Sequence, residues 1–164
     1  MQALHQWSAQ DTRASRWQII SIGENHPPVR LSHSSNLRVS VKGKMSLEEY
    51  AALMSEAAIG ISLMVSPHPS YPPLEIAAFG MRVISNHFSA KQLYQWSANI
   101  SSISDITPEK VASTLSLLID EFEANRLSWP IDAQLVNSDY TSTNNAYPFK
   151  NQLINALKSS LQHT

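Results

Sequence analysis

The sequence has 164 residues, of which 43% are hydrophobic and 15% are charged, as is typical of a single globular domain. Twelve basic and thirteen acidic residues give a net charge of -1, which excludes a broad basic surface for nucleic acid or for an anionic membrane. Because the chain has no cysteine, it has no disulfide, no thiolate nucleophile and no cysteine-based zinc site.

The first 58 residues predict two strands followed by a helix. An apolar run at 17–22 stops at Gly23, and an alternating run at 37–41 ends just before Gly43. Ser46 and Glu49 have the spacing of a capping box, in which each side chain accepts from an otherwise unpaired amide, so a helix is predicted to begin there. Its apolar residues recur at helical spacing along one face: Leu47, Tyr50, Ala51, Met54 and Ala58.

Residues 59–65 carry apolar side chains at both alternating sets of positions. A strand of this kind is buried on both faces, so we expect it to be parallel and central in the sheet. After a loop at 66–71, Pro72 and Pro73 are expected to open a short helix that Gly80 closes, with Glu75 in its first turn.

The remaining pattern continues the alternation of strands and helices. Strands are predicted at 81–85 and, more weakly, at 99–102, and a helix is predicted to begin at Thr107. Its apolar face consists of Val111, Leu115, Leu118, Ile119 and Phe122. Alternation with short connections indicates an α/β fold with a doubly wound parallel sheet. We assign residues 1–124 to this domain and 125–164 to an irregular tail with a last helix near 149–161.

The segment 66–75 is the best candidate for a binding site. In open α/β sheets, ligands collect at the carboxyl ends of the strands, where the amino ends of helices offer amides to a pyrophosphate. The carboxylate of Glu75 could accept hydrogen bonds from both hydroxyls of a ribose. The alternative is structural: Glu75 complements the helix dipole, and His68 packs against the prolines beside it.

The run Ser-Pro-His-Pro-Ser-Tyr-Pro-Pro-Leu-Glu-Ile-Ala-Ala-Phe-Gly-Met-Arg-Val-Ile-Ser-Asn at 66–86 resembles the donor-site segment of family 4-type GT-B glycosyltransferases. It is most similar to the rhamnosyltransferase-like members of bacterial polysaccharide and surface-glycan assembly. Gly-Lys-Met-Ser-Leu-Glu-Glu-Tyr at 43–50 resembles the corresponding turn and helix, so the resemblance spans residues 17–123. It implies the nucleotide-sugar-binding, Rossmann-like half of a GT-B fold.

The resemblance also implies roles for individual residues. Glu75 would hold the donor ribose, and Lys44 would face the nucleotide with its positive charge. Tyr71, His68 and the backbone at Pro73 and Leu74 would line the site, beside the diphosphate. Two of these residues have simpler alternatives, since Lys44 could be a solvated turn residue and Tyr71 could merely anchor its loop.

Two departures from the family pattern matter. The family usually has a second acidic residue eight positions before the ribose glutamate, and here that position is Pro67, which leaves the stereochemistry of transfer open. The chain also begins at what resembles the first helix of the domain. The resemblance therefore implies that the first strand and the whole N-terminal domain are missing, and that the catalytic residues, which this chain does not identify, lie in that N-terminal domain.

We therefore expect the donor-binding half of a glycosyltransferase that is inactive alone, with dTDP-rhamnose or another dTDP-deoxysugar as donor and a glycan as acceptor. It would need a GT-B N-terminal domain or partner chain, and it would work in the cytoplasm, at the inner face of the membrane. No histidine pair has metal-ligand spacing, and the resemblance implies a donor site that needs no metal, so we expect no metal and no other cofactor. The alternatives are a stand-alone nucleotide-binding or regulatory module and a remnant without function.

Overall fold

The computed structural model describes residues 1–31, 37–66, 71–89 and 92–128. The helices are α1 (Gln2–Gln10), α2 (Leu47–Glu56), α3 (Tyr71–Ala78) and α4 (Pro108–Ala124). The strands are β1 (Ile19–Ile22), β2 (Val29–Arg30), β3 (Arg38–Gly43), β4 (Ile59–Ile61), β5 (Arg82–Asn86) and β6 (Ile100–Ile103). Short 3-10 turns lie at Thr12–Arg16, Leu93–Gln95 and Arg126–Ser128.

The described strands form two three-stranded sheets. In the first sheet the order is β1-β3-β2, with β1 parallel to β3 and β2 antiparallel to it. In the second sheet the order is β4-β5-β6, and all neighbours are parallel. Helices cover this parallel sheet, which confirms the predicted α/β class and fits one half of a Rossmann-like fold.

The predicted starts of the two helices that have capping residues, α2 and α4, were confirmed. In α2 the amide of Glu49 donates to Ser46 Oγ at 3.2 Å and the amide of Ser46 donates to Glu49 Oε2 at 2.9 Å, which is the predicted capping box. In α4 the amide of Lys110 donates to Thr107 Oγ1 at 3.2 Å. The predictions missed the short antiparallel strand β2. The last predicted helix, at 149–161, lies outside the described residues.

The prediction that residues 59–65 form a central strand was wrong. β4 stops at Ile61, and among the described strands it pairs only with β5, so it lies at an edge of its sheet. Val65, at the end of the predicted strand, is 76% exposed. The central position belongs to β5, which is buried from Val83 to Asn86. Apolar residues at both alternating positions indicate that both faces of a strand are covered, but they do not determine whether strands pair with both of its edges.

Two apolar clusters lie on opposite faces of the sheets. Side chains alternate along β5, so Ile84 points into one cluster and Val83 into the other. The α1–α4 cluster contains Trp7, Ala14, Leu31, Leu37, Val39, Ile84, Ile103, Val111, Ala112, Leu115, Leu118 and Ile119. The α2–α3 cluster contains Met54, Leu74, Ile76, Ala77, Met81, Val83, Leu93 and Ile100. Helices α1 and α4 therefore share one face, and α2 and α3 share the other.

Asp11 joins the end of α1 to α4 through a network of hydrogen bonds. Its carboxylate accepts from Arg13 Nε at 2.9 Å and Arg13 Nη2 at 2.8 Å, from Ser116 Oγ at 3.2 Å and from Trp7 Nε1 at 3.3 Å. The hydrogen bond from the Arg13 side chain is the main cause that holds the pKa of Asp11 well below its usual range. The guanidinium of Arg13 also contacts Asp120 and Glu123 of α4. This network fixes α1 against the core.

The lowered pKa of Asp11 predicts a specific acid dependence of stability. The contribution of Asp11 to the free energy of unfolding is fully present above the ordinary carboxyl pKa of about 3.9, and it is lost as the pH falls below that value. We expect Asp11→Asn to lower the free energy of unfolding by about 1–2 kcal/mol at pH 6, and the difference from the native chain to shrink as the pH falls from 4 toward 2. Urea titrations at several pH values measure this. A difference that stays constant with pH, or an equal effect of Glu56→Gln at an exposed position, would contradict the assignment.

Candidate functional site

Helix α3 begins near the carboxyl end of β4 and presents two different surfaces. Its inner side, formed by Pro73, Leu74, Ile76 and Ala77, is buried, largely in the α2–α3 cluster. Its outer side carries Tyr71, which is 65% exposed, and the exposed Glu75. The apolar inner side fixes the helix to the sheet, so the two outer side chains have a rigid support.

The helix begins one residue earlier than its prolines predicted, which changes the position of Glu75. Because Tyr71 is already the first helical residue, Glu75 is the fifth and lies in the second turn. The prediction that it lies in the first turn was wrong. The field of a helix dipole falls off within the first turn, so the dipole contributes little to holding this carboxylate.

Tyr50 of α2 lies beside the carboxylate of Glu75. The pKa of Tyr50 is raised, first by burial and then by the negative charge of Glu75 and a hydrogen bond with its carboxylate. The phenol of the neighbouring helix therefore lies close to the carboxylate of Glu75, which stays exposed. Sequence reasoning placed Tyr50 only on the apolar stripe of its helix. The position of Tyr50 on that stripe, which faces α3, was the signal in the sequence for this proximity.

Asn86, at the end of β5, holds the backbone that leads from β4 toward α3. Its side chain is fully buried; Oδ1 accepts from the Met64 amide at 2.8 Å, and Nδ2 donates to the carbonyls of Met64 and His87 at 3.0 Å each. The amide group thus replaces sheet pairing beyond Ser62, whose amide still donates to the Ile84 carbonyl. The sequence did not predict this role, because it depends on which residue lies next to Met64 in space and not on a local pattern.

Three further polar atoms at this end of the second sheet are buried without a hydrogen-bond partner among the described residues. They are Ser85 Oγ, Ser102 Oγ and His87 Nε2. Ser85 and Ser102 are directly opposite each other on β5 and β6, and the His87 ring stacks on Tyr94 with centroids 5.5 Å apart. Such groups carry a desolvation cost that no hydrogen bond within the described residues compensates.

The first sheet brings a second set of polar groups to its carboxyl end. Gly43 has φ +62°, and the side chain of Asn25, from the loop after β1, fills the space that a Cβ at Gly43 would need. Only glycine meets both conditions. Lys44 follows it and is exposed, and His26 Nε2 lies 2.9 Å from Ser21 Oγ. The close contact between Asn25 and Gly43 fixes the turn from which Lys44 projects.

The predicted site residues therefore divide into three groups. Glu75 and Tyr71 are exposed on α3, and Lys44 is exposed at the carboxyl end of β3 on the other sheet. The side chains of Pro73 and Leu74 are buried, so only the backbone of these residues could contact a ligand. His68 lies outside the described residues. The binding roles of all six stay predictions.

Across the described ranges, no group of three or more acidic or histidine side chains is arranged to hold a metal ion. In the same ranges no helix is both long enough and apolar enough to cross a membrane.

Parallel strands with helices on both faces, and polar groups gathered at their carboxyl ends, define this chain as a Rossmann-like domain. The family described as "WsaF, C-terminal domain" matches residues 1–116, and the chain belongs to that family. Its members are C-terminal domains of GT-B-like glycosyltransferases, so the chain is a donor-side domain of a glycosyltransferase, as predicted at that level. No curated protein matches the sequence.

Proposed function

We propose that this domain binds a nucleoside-diphosphate sugar at the crevice beside α3, and that a GT-B N-terminal domain completes the enzyme and supplies the glycan acceptor. Glu75 accepts from the hydroxyls of the sugar of the nucleoside. The diphosphate lies at the amino end of α3 beside Tyr71, with the backbone of Pro73 and Leu74 and the side chain of His68 around it. Lys44 faces the nucleotide from the first sheet.

The single observation that carries this proposal is the state of Glu75. This carboxylate is exposed on a helix whose other side is buried, and it lies close enough to the Tyr50 hydroxyl to help raise the pKa of that phenol. A carboxylate held on a rigid helix, at the crevice where open α/β sheets bind nucleotides, is prepared to accept hydrogen bonds from a ligand. Because Pro72 and Pro73 have no N–H, the amides of Tyr71 and Leu74 are the donors that the first four residues of α3 could offer to the diphosphate.

The donor we favour is a dTDP-deoxysugar such as dTDP-rhamnose, on the resemblance of residues 66–75 to rhamnosyltransferase-like proteins. This choice has a chemical consequence for Glu75. The 2′-deoxyribose of dTDP has one free hydroxyl, whereas the ribose of UDP has two. Glu75 would therefore accept one hydrogen bond from dTDP and two from UDP, and selection of dTDP would have to come from contacts to the base.

The test is a titration of the 15N-labelled chain with UDP and with dTDP, followed by NMR. We expect amide shifts at 43–45 and at the start of α3, with weak affinity because this chain alone supplies one side of the proposed site. Transfer and hydrolysis of dTDP-rhamnose by this chain alone should stay at background. An absence of shifts at millimolar nucleotide, or shifts confined to α4, would contradict the binding proposal. Robust transfer by the chain alone would contradict the need for the other domain.

A further inference from the structure

Ser21 and His26 form a hydrogen-bonded pair at the carboxyl end of β1. Ser21 is the third residue of the strand, and His26 lies in the loop that follows it. The pairing of β1 with β3 shifts between Ser21 and Ile22, and Gly23, with φ +108°, turns the chain. His26 Nε2 lies 2.9 Å from Ser21 Oγ. The loop therefore folds back onto the strand and places an imidazole beside the hydroxyl.

The other nitrogen of the imidazole determines the direction of this hydrogen bond. His26 Nδ1 lies 2.9 Å from the carbonyl oxygen of Pro27, which can only accept, so Nδ1 carries a proton and donates it. In the neutral ring Nε2 is then unprotonated, and it accepts from Ser21 Oγ. The proton of the serine is therefore directed at a base, and the base is itself oriented by a third group.

These contacts are the ones that an activated serine needs. A hydroxyl is a weak nucleophile until an adjacent base, within about 2.6–3.2 Å, can take its proton, and another group must orient that base. His26 meets the first condition, and the Pro27 carbonyl meets the second. Ser21 and His26 are half-buried, while the neighbouring residues 22–25 and 27–28 are exposed. The pair thus lies at the surface, where a small molecule can reach it.

We propose that His26 activates Ser21 as a nucleophile, and that Ser21 accepts an acyl group from a small activated ester. Ser21 Oγ forms a bond to the ester carbonyl carbon while its proton passes to His26 Nε2. The bond from that carbon to the leaving oxygen then breaks, and the alcohol leaves with the proton from Nε2. In the second step His26 takes a proton from water, the hydroxide releases the acyl group as a carboxylic acid, and Ser21 regains its proton. This activity uses none of the residues assigned to nucleotide binding.

The alternative role of the pair is structural, in which His26 only fastens the loop to β1. His26→Gln separates the two roles, because an amide oxygen can accept a hydrogen bond from Ser21 Oγ but is too weak a base to take its proton. A structural role would be retained in His26→Gln. The nucleophilic role would be lost.

The experiment treats the full chain with p-nitrophenyl acetate and measures the acetylation of individual serines by peptide mass spectrometry. Ser55 is the matched control, because it is exposed and its hydroxyl donates to the Ala52 carbonyl at 2.7 Å rather than to a base. A general base typically contributes about 10²–10⁴-fold, so we expect Ser21 to be acetylated at least about tenfold faster than Ser55. His26→Gln should remove this difference and leave the urea midpoint within the range of the native chain.

A second measurement uses cysteine in place of each serine, since the chain has no cysteine of its own. An imidazole favours the thiolate of an adjacent thiol, so iodoacetamide should alkylate Ser21→Cys at least about threefold faster than Ser55→Cys. Equal acetylation of Ser21 and Ser55, or acetylation of Ser21 that persists in His26→Gln, would overturn the proposal. Equal alkylation of the two thiols would also overturn it, and that comparison requires no change at His26.

Discussion

Replacing Glu75 with alanine is expected to weaken nucleoside diphosphate binding at least tenfold and to leave the unfolding midpoint of the domain unchanged. The carboxylate is exposed, so its removal creates no cavity. Its hydrogen bonds to two ribose hydroxyls would be worth about 1.5–3 kcal/mol each, and 1.4 kcal/mol corresponds to a tenfold change in affinity. Calorimetric titration with UDP measures the loss.

Three comparisons separate ribose binding from a general effect of charge. Glu75→Gln keeps the shape and one acceptor, so its affinity should lie between those of the native and alanine proteins. Tyr50→Phe removes the hydroxyl that lies beside the carboxylate, and we expect a smaller loss, of about two- to tenfold. A 2′,3′-dideoxynucleotide should bind the native protein poorly and should be almost insensitive to Glu75→Ala.

The comparison of ribo-, deoxy- and dideoxynucleotides also defines the results that would contradict the role of Glu75 in ribose binding. The loss on Glu75→Ala should be larger for UDP than for dTDP, because dTDP offers one hydroxyl fewer. If ribo-, deoxy- and dideoxynucleotides all lose the same factor, Glu75 acts only through its charge. If none of them loses affinity, Glu75 has only a structural role on α3, and the ribose lies elsewhere.

The position of Glu75 could be predicted from sequence, but its neighbour Tyr50 could not. An acidic residue a few positions after a proline-rich loop indicates a helix near the carboxyl end of a strand, and this proved correct in outline. The contact with Tyr50 joins residues that are 25 positions apart in the sequence. Local patterns report periodicity within one helix, and they do not report which residue of another helix lies opposite.

The same limit explains the outcome for residues 59–65. Their apolar composition describes the environment that the segment is suited to, and a central strand was a sound inference from it. The arrangement of neighbours depends on segments distant in sequence, and the described chain has a strand on only one side of β4. Capping signals at Ser46 and Thr107 were more reliable, since each depends on residues within one helical turn.

Replacing Asn86 with alanine is expected to lower the free energy of unfolding by about 2–4 kcal/mol. Its side chain is fully buried and makes three hydrogen bonds to backbone groups of Met64 and His87, each worth about 0.5–1.5 kcal/mol, and the substitution removes all three. Urea unfolding measures the change. Exchange of the Met64 amide should also become faster, because that amide loses its acceptor.

Ser85 provides the matched control for Asn86. It is the adjacent residue and is 1% exposed, but its hydroxyl has no partner among the described residues. Ser85→Ala should therefore leave the free energy of unfolding unchanged or raise it by up to about 1 kcal/mol, because an unpaired hydroxyl is costly to bury. Asn86→Asp keeps the acceptor for Met64 but loses both donated bonds and places a carboxylate beside carbonyls, so we expect it to be at least as unstable as Asn86→Ala. If Ser85→Ala and Asn86→Ala lowered stability equally, burial alone would explain both effects, and the hydrogen bonds of Asn86 would not be what holds the chain between β4 and α3.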